Sequence, residues 1–505
     1  MQQVVLSVDV GTTGCKVIAF SRSGQAVFSA YAEYGTVVGP GGRSELDPQN
    51  VWREVSRCIK GAAADHAIDI TAVCVSSLGE AAVLLDKEDR VLGNAMLYND
   101  FRGSEEMAEL LDEELRAYIP QATGQPVSYL HTLWKLVWLS RYDRARFEQI
   151  EHILFFADYI VFRLTGRYVT DYSLAARSLV FNIGTLSWDE RLLTLTGLDR
   201  TKFPEPLPSG TVVGPVSPEA VAEFGISPDA VVVTGGHDQP CGVLGSVAGR
   251  AGHVVSASGT IEAITATVDD ASTARQLIRR GFSVEPAVIP DKYMAMAISL
   301  TGGSLLKWFR LAFTEVSTDI GSFRNIYAFL DSRLERKLAT SLVVPYLCGT
   351  GTPDYDTRYY GQIYGLRPDV TREDIYKACL EGLCFEMQKI LQIMEEAGLR
   401  MDRACVIGGG AYSAVWSQMK SDIWNVPVYT VAQSEAVALG LAALAAAAVG
   451  WFESPEKAAE CFIERRCEFF PDPGLYRQYR VKYEKFLRLS DTCRELENEA
   501  KDVMK

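Results

Sequence analysis

VVLSVDVGTTGCKVIAF, residues 4–20, sets a Gly-rich turn between two apolar runs, with Asp9 before it and Lys16 after it. A P-loop would need G-x-x-x-x-G-K-[ST] leading into a helix. Here the spacing fails and a β-rich run follows, so the stretch reads as a β-hairpin. Such a turn can still cradle phosphate through its backbone N–H groups. Thr12 and Thr13 would add hydroxyls and Lys16 a positive charge. Asp9, at a strand end, could hold Mg²⁺, an ion that keeps several waters and takes few carboxylates. A purely structural hairpin competes with this reading, because Gly and Thr are ordinary turn residues.

The same theme returns half a chain later. SASGT at 256–260 places Ser258, Gly259 and Thr260 in a second turn between β-rich runs. Two such units predict a duplicated architecture, with two similar α/β domains facing each other across a cleft, a preferred ligand site. The Gly-dotted GVLGSVAGRAGH at 242–253 is the expected hinge, dividing the chain into 1–246 and 247–505. Residues 26–33 extend the first hairpin to a meander, 50–66 read as a helix, and 70–77 as a buried strand. The run LGLAALAAAAVGWF at 439–452 is too short to span a bilayer and reads as a buried core helix.

Composition narrows the function. A chain of 505 residues exceeds a single core, so two or more domains are expected. The net charge of −14 argues against a nucleic-acid surface, although a local cation cluster or a bound metal can still attract a small anion. Eleven cysteines without a C-x-x-C pair suit reduced thiols in a cytoplasmic protein, and five histidines show no metal-ligand spacing. The N-terminus shows no basic segment followed by an apolar core, so neither a secretory signal nor a membrane partner is expected.

Four further stretches carry chemistry. VIGGGAYS at 406–413 follows a strand and opens a helix, where backbone can approach a ligand closely. A tight packing turn is the competing reading. GGHDQP at 235–240 puts Asp238 at the carboxyl end of an apolar strand, where α/β proteins hold their chemistry. An N-cap would also explain it, and His237 reads as an oriented structural residue. SLGEAAVLLD and LYNDFRG offer Gly79, Glu80, Asn99, Asp100 and Arg102 as partners for a polyhydroxy substrate, with surface salt bridging as the alternative.

Taken in order, from VDVGTTGCK to SEAVALGLAALAA, these motifs resemble the FGGY family of carbohydrate kinases. GQIYGLRPDVTREDIYKACLEG at 361–382 looks like that family's second signature. The resemblance implies the actin-like fold of sugar kinases and heat-shock-type ATPases, with two domains around a central cleft. It implies ATP and Mg²⁺, a small sugar or polyol as acceptor, and no nucleic-acid partner; a homodimer stays open. By the same resemblance Asp9 is the Mg²⁺-linked aspartate, and Thr12, Thr13 and Lys16 are contacts of the first phosphate loop. Gly259 and Thr260 belong to the second phosphate loop, Gly303 to a nucleotide-contacting turn, and Gly410 and Ala411 to the adenosine turn. Asp238 is the implied catalytic base and a further metal contact, while Glu435 is assigned to domain packing.

The acceptor side departs from the familiar patterns. Xylulokinase-like members carry Met-His where this chain has Gly79-Glu80, and glycerol-kinase-like members carry Arg-Glu. The His before Asp238 is similar to rhamnulokinase-type sequences. Gly79, Glu80, Asp100, Arg102 and Asp238 are the expected substrate contacts, with Gly79 leaving room beside Glu80. The expected reaction is transfer of the γ-phosphoryl of ATP to a hydroxyl of a ketose or linear polyol. A non-catalytic nucleotide- or sugar-responsive scaffold is the alternative, but it predicts loss of Asp9 or Asp238, and both are present. A chaperone-type ATPase switch would need an appended partner-binding domain, for which the chain shows no room.

Overall fold

In the computed structural model, which describes residues 1–314, 325–432 and 435–504 (the last eight as backbone only), two mixed sheets repeat one pattern. The first is built from β1 (Gln2–Val10), β2 (Gly14–Ser21), β3 (Ala26–Glu33), β4 (Ile68–Ser77), β5 (Val212–Pro215) and β6 (Val231–His237). Its order is β5-β6-β4-β1-β2-β3. β1, β4 and β6 run parallel, β1–β2–β3 form an antiparallel meander, and β5 is an antiparallel edge.

The second sheet uses β7 (His253–Ser258), β8 (Glu262–Val268), β9 (Ser283–Pro286), β10 (Tyr293–Ser299), β11 (Arg403–Gly408), β12 (Val428–Val431) and β13 (Arg465–Phe469). Its order is β9-β10-β8-β7-β11-β12-β13. β7, β11 and β12 are parallel, β7–β8–β10 form the meander, and β13 is the antiparallel edge. The extra strand β9 adds beside β10. The hairpin β1–β2 is therefore the counterpart of β7–β8, and the turns at Gly11 and Gly259 occupy equivalent places.

The parallel strands explain the continuous apolar runs. Val4, Val5, Leu6, Val8 and Val10 are all fully buried, because both faces of the sheet are covered. What covers the inner face fixes the relation of the halves. Helix α1 (Tyr172–Ala176) packs at the end of β6, and α2 (Asp238–Val247) follows β6 directly. Helices α3 (Gly303–Phe313) and α4 (Ala414–Trp424) border the second sheet, and α5 (Ala436–Ala448) follows β12. α5 is apolar all round and almost wholly buried, as the Ala-rich run predicts.

α2 and α5 cross at close range. A Cβ on Gly245 would lie 1.9 Å from the carbonyl oxygen of Ala436, and one on Gly440 would lie 2.0 Å from that of Cys241. Neither glycine has room for a side chain, so this crossing sets how the two sheets face each other. The expected hinge is thereby shortened. Residues 242–247 belong to α2, and the link turns at Ala248, Gly249 and Gly252, all with positive φ. The 25-residue helix Arg372–Glu396 starts after Thr371, whose side chain accepts from Asp374 N, and stops before Gly398.

No helix among the described residues is long and apolar enough to cross a membrane. All eleven cysteines are free thiols.

Candidate active site

Three parallel strands bring the first group of residues together. Asp9 on β1 lies opposite Ser76 on β4, and Ser76 lies opposite Gly236 on β6. Their carboxyl ends are thus level, which is where an open α/β sheet leaves a crevice. Ser76 Oγ donates to Asp9 Oδ1 at 2.9 Å. Two glycines let β6 end here. A Cβ on Gly235 would sit 2.0 Å from the carbonyl oxygen of Val75, and one on Gly236 2.9 Å from Ser173 Oγ.

Asp238 is the first residue of α2, and His237, rather than Asp238, holds the N-cap position. His237 N donates to Ser173 Oγ at 2.9 Å. The His237 Nε2 atom approaches Asp238 Oδ1 to 3.2 Å, yet Oδ1 is buried and accepts no hydrogen bond from the described residues. Burial raises the Asp238 carboxyl above its ordinary range, and the Glu80 charge adds to this while His237 opposes it. Burial, then the charge of Asp238, pushes Asp9 up to about 7. The Asp238 charge disfavours ionisation of Asp9, and its Oδ1 has only the His237 ring nearby, so the two carboxyls suit a shared cation or proton.

Behind Asp238 lies a buried polar network that sequence reasoning missed. Arg177, at the end of α1, donates from Nε to Glu80 Oε1 at 2.7 Å, and its Nη2 reaches the same oxygen. Its Nη1 donates to Gln125 Oε1 at 2.7 Å and lies 3.3 Å from Glu285 Oε2. Glu285 Oε1 accepts from His237 Nδ1 at 2.7 Å. Burial works against the imidazolium, but Glu285 and then Asp238 outweigh it and hold His237 up to about 9. Glu80 is buried, and despite that cost the guanidinium keeps its carboxyl below the usual range. Glu80 also has φ of +63°, a left-handed conformation uncommon outside glycine, with its carbonyl accepting from Thr132 Oγ1 at 2.7 Å.

Three acceptor-side expectations change. The space beside Gly79 is not open: a Cβ there would lie 3.0 Å from Arg177 Cγ and 3.3 Å from His237 Cδ2. Asp100 is fully buried and already committed. Its Oδ1 accepts from Arg102 N at 3.0 Å and Arg102 Nε at 2.9 Å, and its Oδ2 from Ser44 N at 2.8 Å. Arg102 in turn also binds Glu45, so Asp100 and Arg102 form a structural ion-pair cluster because their donors and acceptors are spent on each other. Asn99 is exposed next to them.

The second group lines a cavity of about 510 Å³. Ser258, Gly259, Gly303, Gly410, Asp331 and Trp416 are among its walls. Gly259 and Thr260 are exposed at the tip of the β7–β8 turn. Their carbonyls accept from Gly303 N at 2.8 Å and Ser304 N at 3.1 Å, so the turn is stapled to the start of α3. A Cβ on Gly303 would lie 2.7 Å from the Gly259 carbonyl oxygen, which makes glycine a packing requirement there. Gly410 sits under the same constraint, 2.4 Å from Ser258 Cβ by the same measure. Ala411 packs against the hydrophobic core instead of the cavity. Asp331 accepts from Ser413 Oγ at 2.7 Å and Tyr376 OH at 2.9 Å, and burial raises its carboxyl.

The first turn offers a half-buried Thr12 and an exposed Thr13. Lys16 points from β2 to Glu435, just ahead of α5, and forms an ion pair between the two halves of the chain. Ser434 of the SEAVALG run lies outside the described residues.

Residues 4–245 match the model of the N-terminal domain of the FGGY family of carbohydrate kinases, and residues 265–449 that of its C-terminal domain. A xylulose kinase of Bacillus subtilis (strain 168) is 27% identical over 511 residues, covering 99% of this chain and 99% of its own length. A gluconokinase of the same organism is also 27% identical over 511 residues, covering 99% and 97%. In the solved structures, ligand-bound xylulose kinase from Lactobacillus acidophilus aligns with a TM-score of 0.88 at 23% identity, over 97% of this chain and 98% of that one. At that identity the likeness is one of fold.

Proposed function

The chain belongs to the FGGY family of carbohydrate kinases, and from that premise we propose that it transfers the γ-phosphoryl of ATP to a hydroxyl of a small neutral ketose or polyol. Its two lobes, which we take as residues 1–246 and 247–505, share the actin-like architecture of the sugar kinases. The observation that carries the reading is the buried Asp238 carboxyl at the sheet's carboxyl end, whose Oδ1 accepts no hydrogen bond from the described residues and whose charge raises Asp9.

Asp238 takes the proton of the attacking hydroxyl as that oxygen bonds to the γ-phosphorus and ADP departs; the proton then passes to solvent. Phosphoryl transfer asks for positioning and charge neutralisation more than covalent help. The turns at Thr12–Thr13 and Gly259–Thr260 supply backbone amides and hydroxyls to the phosphates, and the Gly410 turn and Trp416 enclose the adenosine. Asp9 and Asp238 would hold the Mg²⁺ that arrives with ATP, which neutralises charge on the transferring group. Among the described residues no three His, Cys, Asp or Glu side chains converge on one metal position. An ion that keeps its waters and phosphate oxygens suits such a sparse site.

Neutrality of the acceptor follows from charge. Arg177 is already engaged by Glu80 and Glu285, and His237 by Glu285. A sugar acid would find no unpaired cation in this network. ATP turnover with D-xylulose, D-ribulose, glycerol, erythritol and D-gluconate tests the reading. A neutral member should raise turnover well above the acceptor-free rate. Stimulation by gluconate alone would overturn the neutral class, and ATP hydrolysis indifferent to the whole panel would overturn the kinase assignment for these acceptors.

A further inference from the structure

Lys420 on α4 is fully buried, and its ammonium has three protons to place. It places each one. Nζ donates to Ser256 Oγ at 2.8 Å, Ser258 Oγ at 2.6 Å and Glu262 Oε2 at 3.0 Å. The first two acceptors lie on β7 and the third on β8. Ser258 and Glu262 are the cross-strand pair that closes the hairpin before the turn. The ammonium also lies 4.6 Å from the Trp416 ring centre and 5.4 Å from that of Trp424.

Fold stability does not require such an arrangement. A buried ion pair is often matched or bettered by apolar residues of similar volume, because desolvation consumes most of the Coulomb gain. Glu262 shows the cost directly, since its Oε1 is buried and accepts no hydrogen bond from the described residues. The cluster lies immediately under the second turn. Ser258 and Trp416 are themselves walls of the 510 Å³ cavity. Three rigid bonds thus join both stems of the hairpin to the helix that flanks the adenosine turn.

We infer that Lys420 is a positioning residue: it holds the Gly259–Thr260 turn in its phosphate-binding shape before nucleotide arrives. The inference rests on the nucleotide reading of this cavity and assigns the cavity's phosphate end to a lysine that never touches the ligand. Prior ordering would spare binding the entropy of fixing the turn. The effect should concentrate on the phosphates, because the bonds are made to the hairpin.

The test compares wild type with Lys420→Met and with the charge-neutral pair Lys420→Met/Glu262→Gln, using calorimetric titration of ATP, ADP and adenosine. In the double variant, affinity for ATP and ADP should fall tenfold or more and that for adenosine by less than threefold. A general loss of structure would weaken all three alike. Unchanged ATP affinity, or an equal loss for adenosine, would overturn the inference. If wild type itself binds neither ATP nor adenosine, the nucleotide reading falls and this inference with it; if wild type binds them and the double variant matches it, only the inference falls. Should both variants fail to fold, amide exchange of wild type without nucleotide decides. Residues 256–262 should exchange slowly before ATP is added, and rapid exchange that ATP alone suppresses would overturn prior ordering.

Discussion

Glu285 Oε1 stands 2.7 Å from His237 Nδ1, so the residue preceding the proposed base is gripped by a strand of the opposite sheet. The same carboxylate reaches Arg177, and β9 further joins the first lobe where Val284 N donates to the Gly124 carbonyl at 2.7 Å. Glu285→Leu would remove the acceptor of His237 Nδ1 and one of the two carboxylates that pair with Arg177. A loss of about 3–5 kcal/mol is expected from breaking such a pair. Glu285→Gln retains an acceptor oxygen and should lose less. Denaturant unfolding at neutral pH measures both; a Leu variant as stable as wild type would remove the charge network from the account of this junction.

Asp238→Asn should lower kcat by roughly 10²–10⁴, the range for a well-placed general base. ATP affinity should change little, because the cavity proposed for adenosine is built from other residues. Steady-state rates with the acceptor selected from the neutral panel, together with ATP titration, check this. Retention of more than about a tenth of the wild-type rate would exclude Asp238 as the base.

Glu80 gives its Oε1 to Arg177, so the proposed contact with the acceptor would fall to Oε2. Removing the whole side chain would also strip Arg177 of a partner, so Glu80→Gln is the cleaner change. It should raise the acceptor KM about tenfold, the factor equivalent to about 1.4 kcal/mol, with ATP KM little altered. Identical acceptor KM values would leave Glu80 as a structural partner of Arg177 alone.

His131 predicts an acid limit to stability. Burial, with the Arg177 charge, pushes its ring down to about 4, and Nδ1 donates to the Arg177 carbonyl at 3.0 Å. The fold therefore favours the neutral ring, whereas the unfolded chain binds a proton near pH 6.5. The unfolded state holds more protons between these values, so stability is complete above about 6.5 and falls as pH drops toward about 4. Near pH 5 the contribution lost is about 2 kcal/mol. Thermal unfolding of wild type and His131→Asn at pH 7.5 and 5 should show a smaller acid loss in the variant. Parallel losses would assign the acid sensitivity to other groups.

The duplicated hairpins, the strand ending at Asp238, the Ala-rich core helix and the glycine turns were legible because each is written within a few consecutive residues. Hydrophobic period, turn chemistry and the position of a carboxylate at a strand end are local properties. They also sufficed to carry the family resemblance, since ordered motifs survive where overall identity does not. Gly303 and Gly410 were legible as special positions, but their reason was not. Only packing shows that they make room for the Gly259 carbonyl and for Ser258.

Local sequence was enough for two α/β lobes, two turns of glycine and hydroxyl residues, and a carboxylate at the carboxyl end of an apolar strand. Which charged side chains face the cleft and which neutralise each other follows from packing. Asp100 and Arg102 are near neighbours in the chain and spend their charges locally, whereas Glu80, Arg177, Glu285 and His237 come from four distant segments to share one buried network. Lys420 and Glu262 do the same behind the second turn. A buried charge must find an opposite charge or a hydrogen bond in space, and that partner is set by how the sheets and helices pack, which no local pattern encodes.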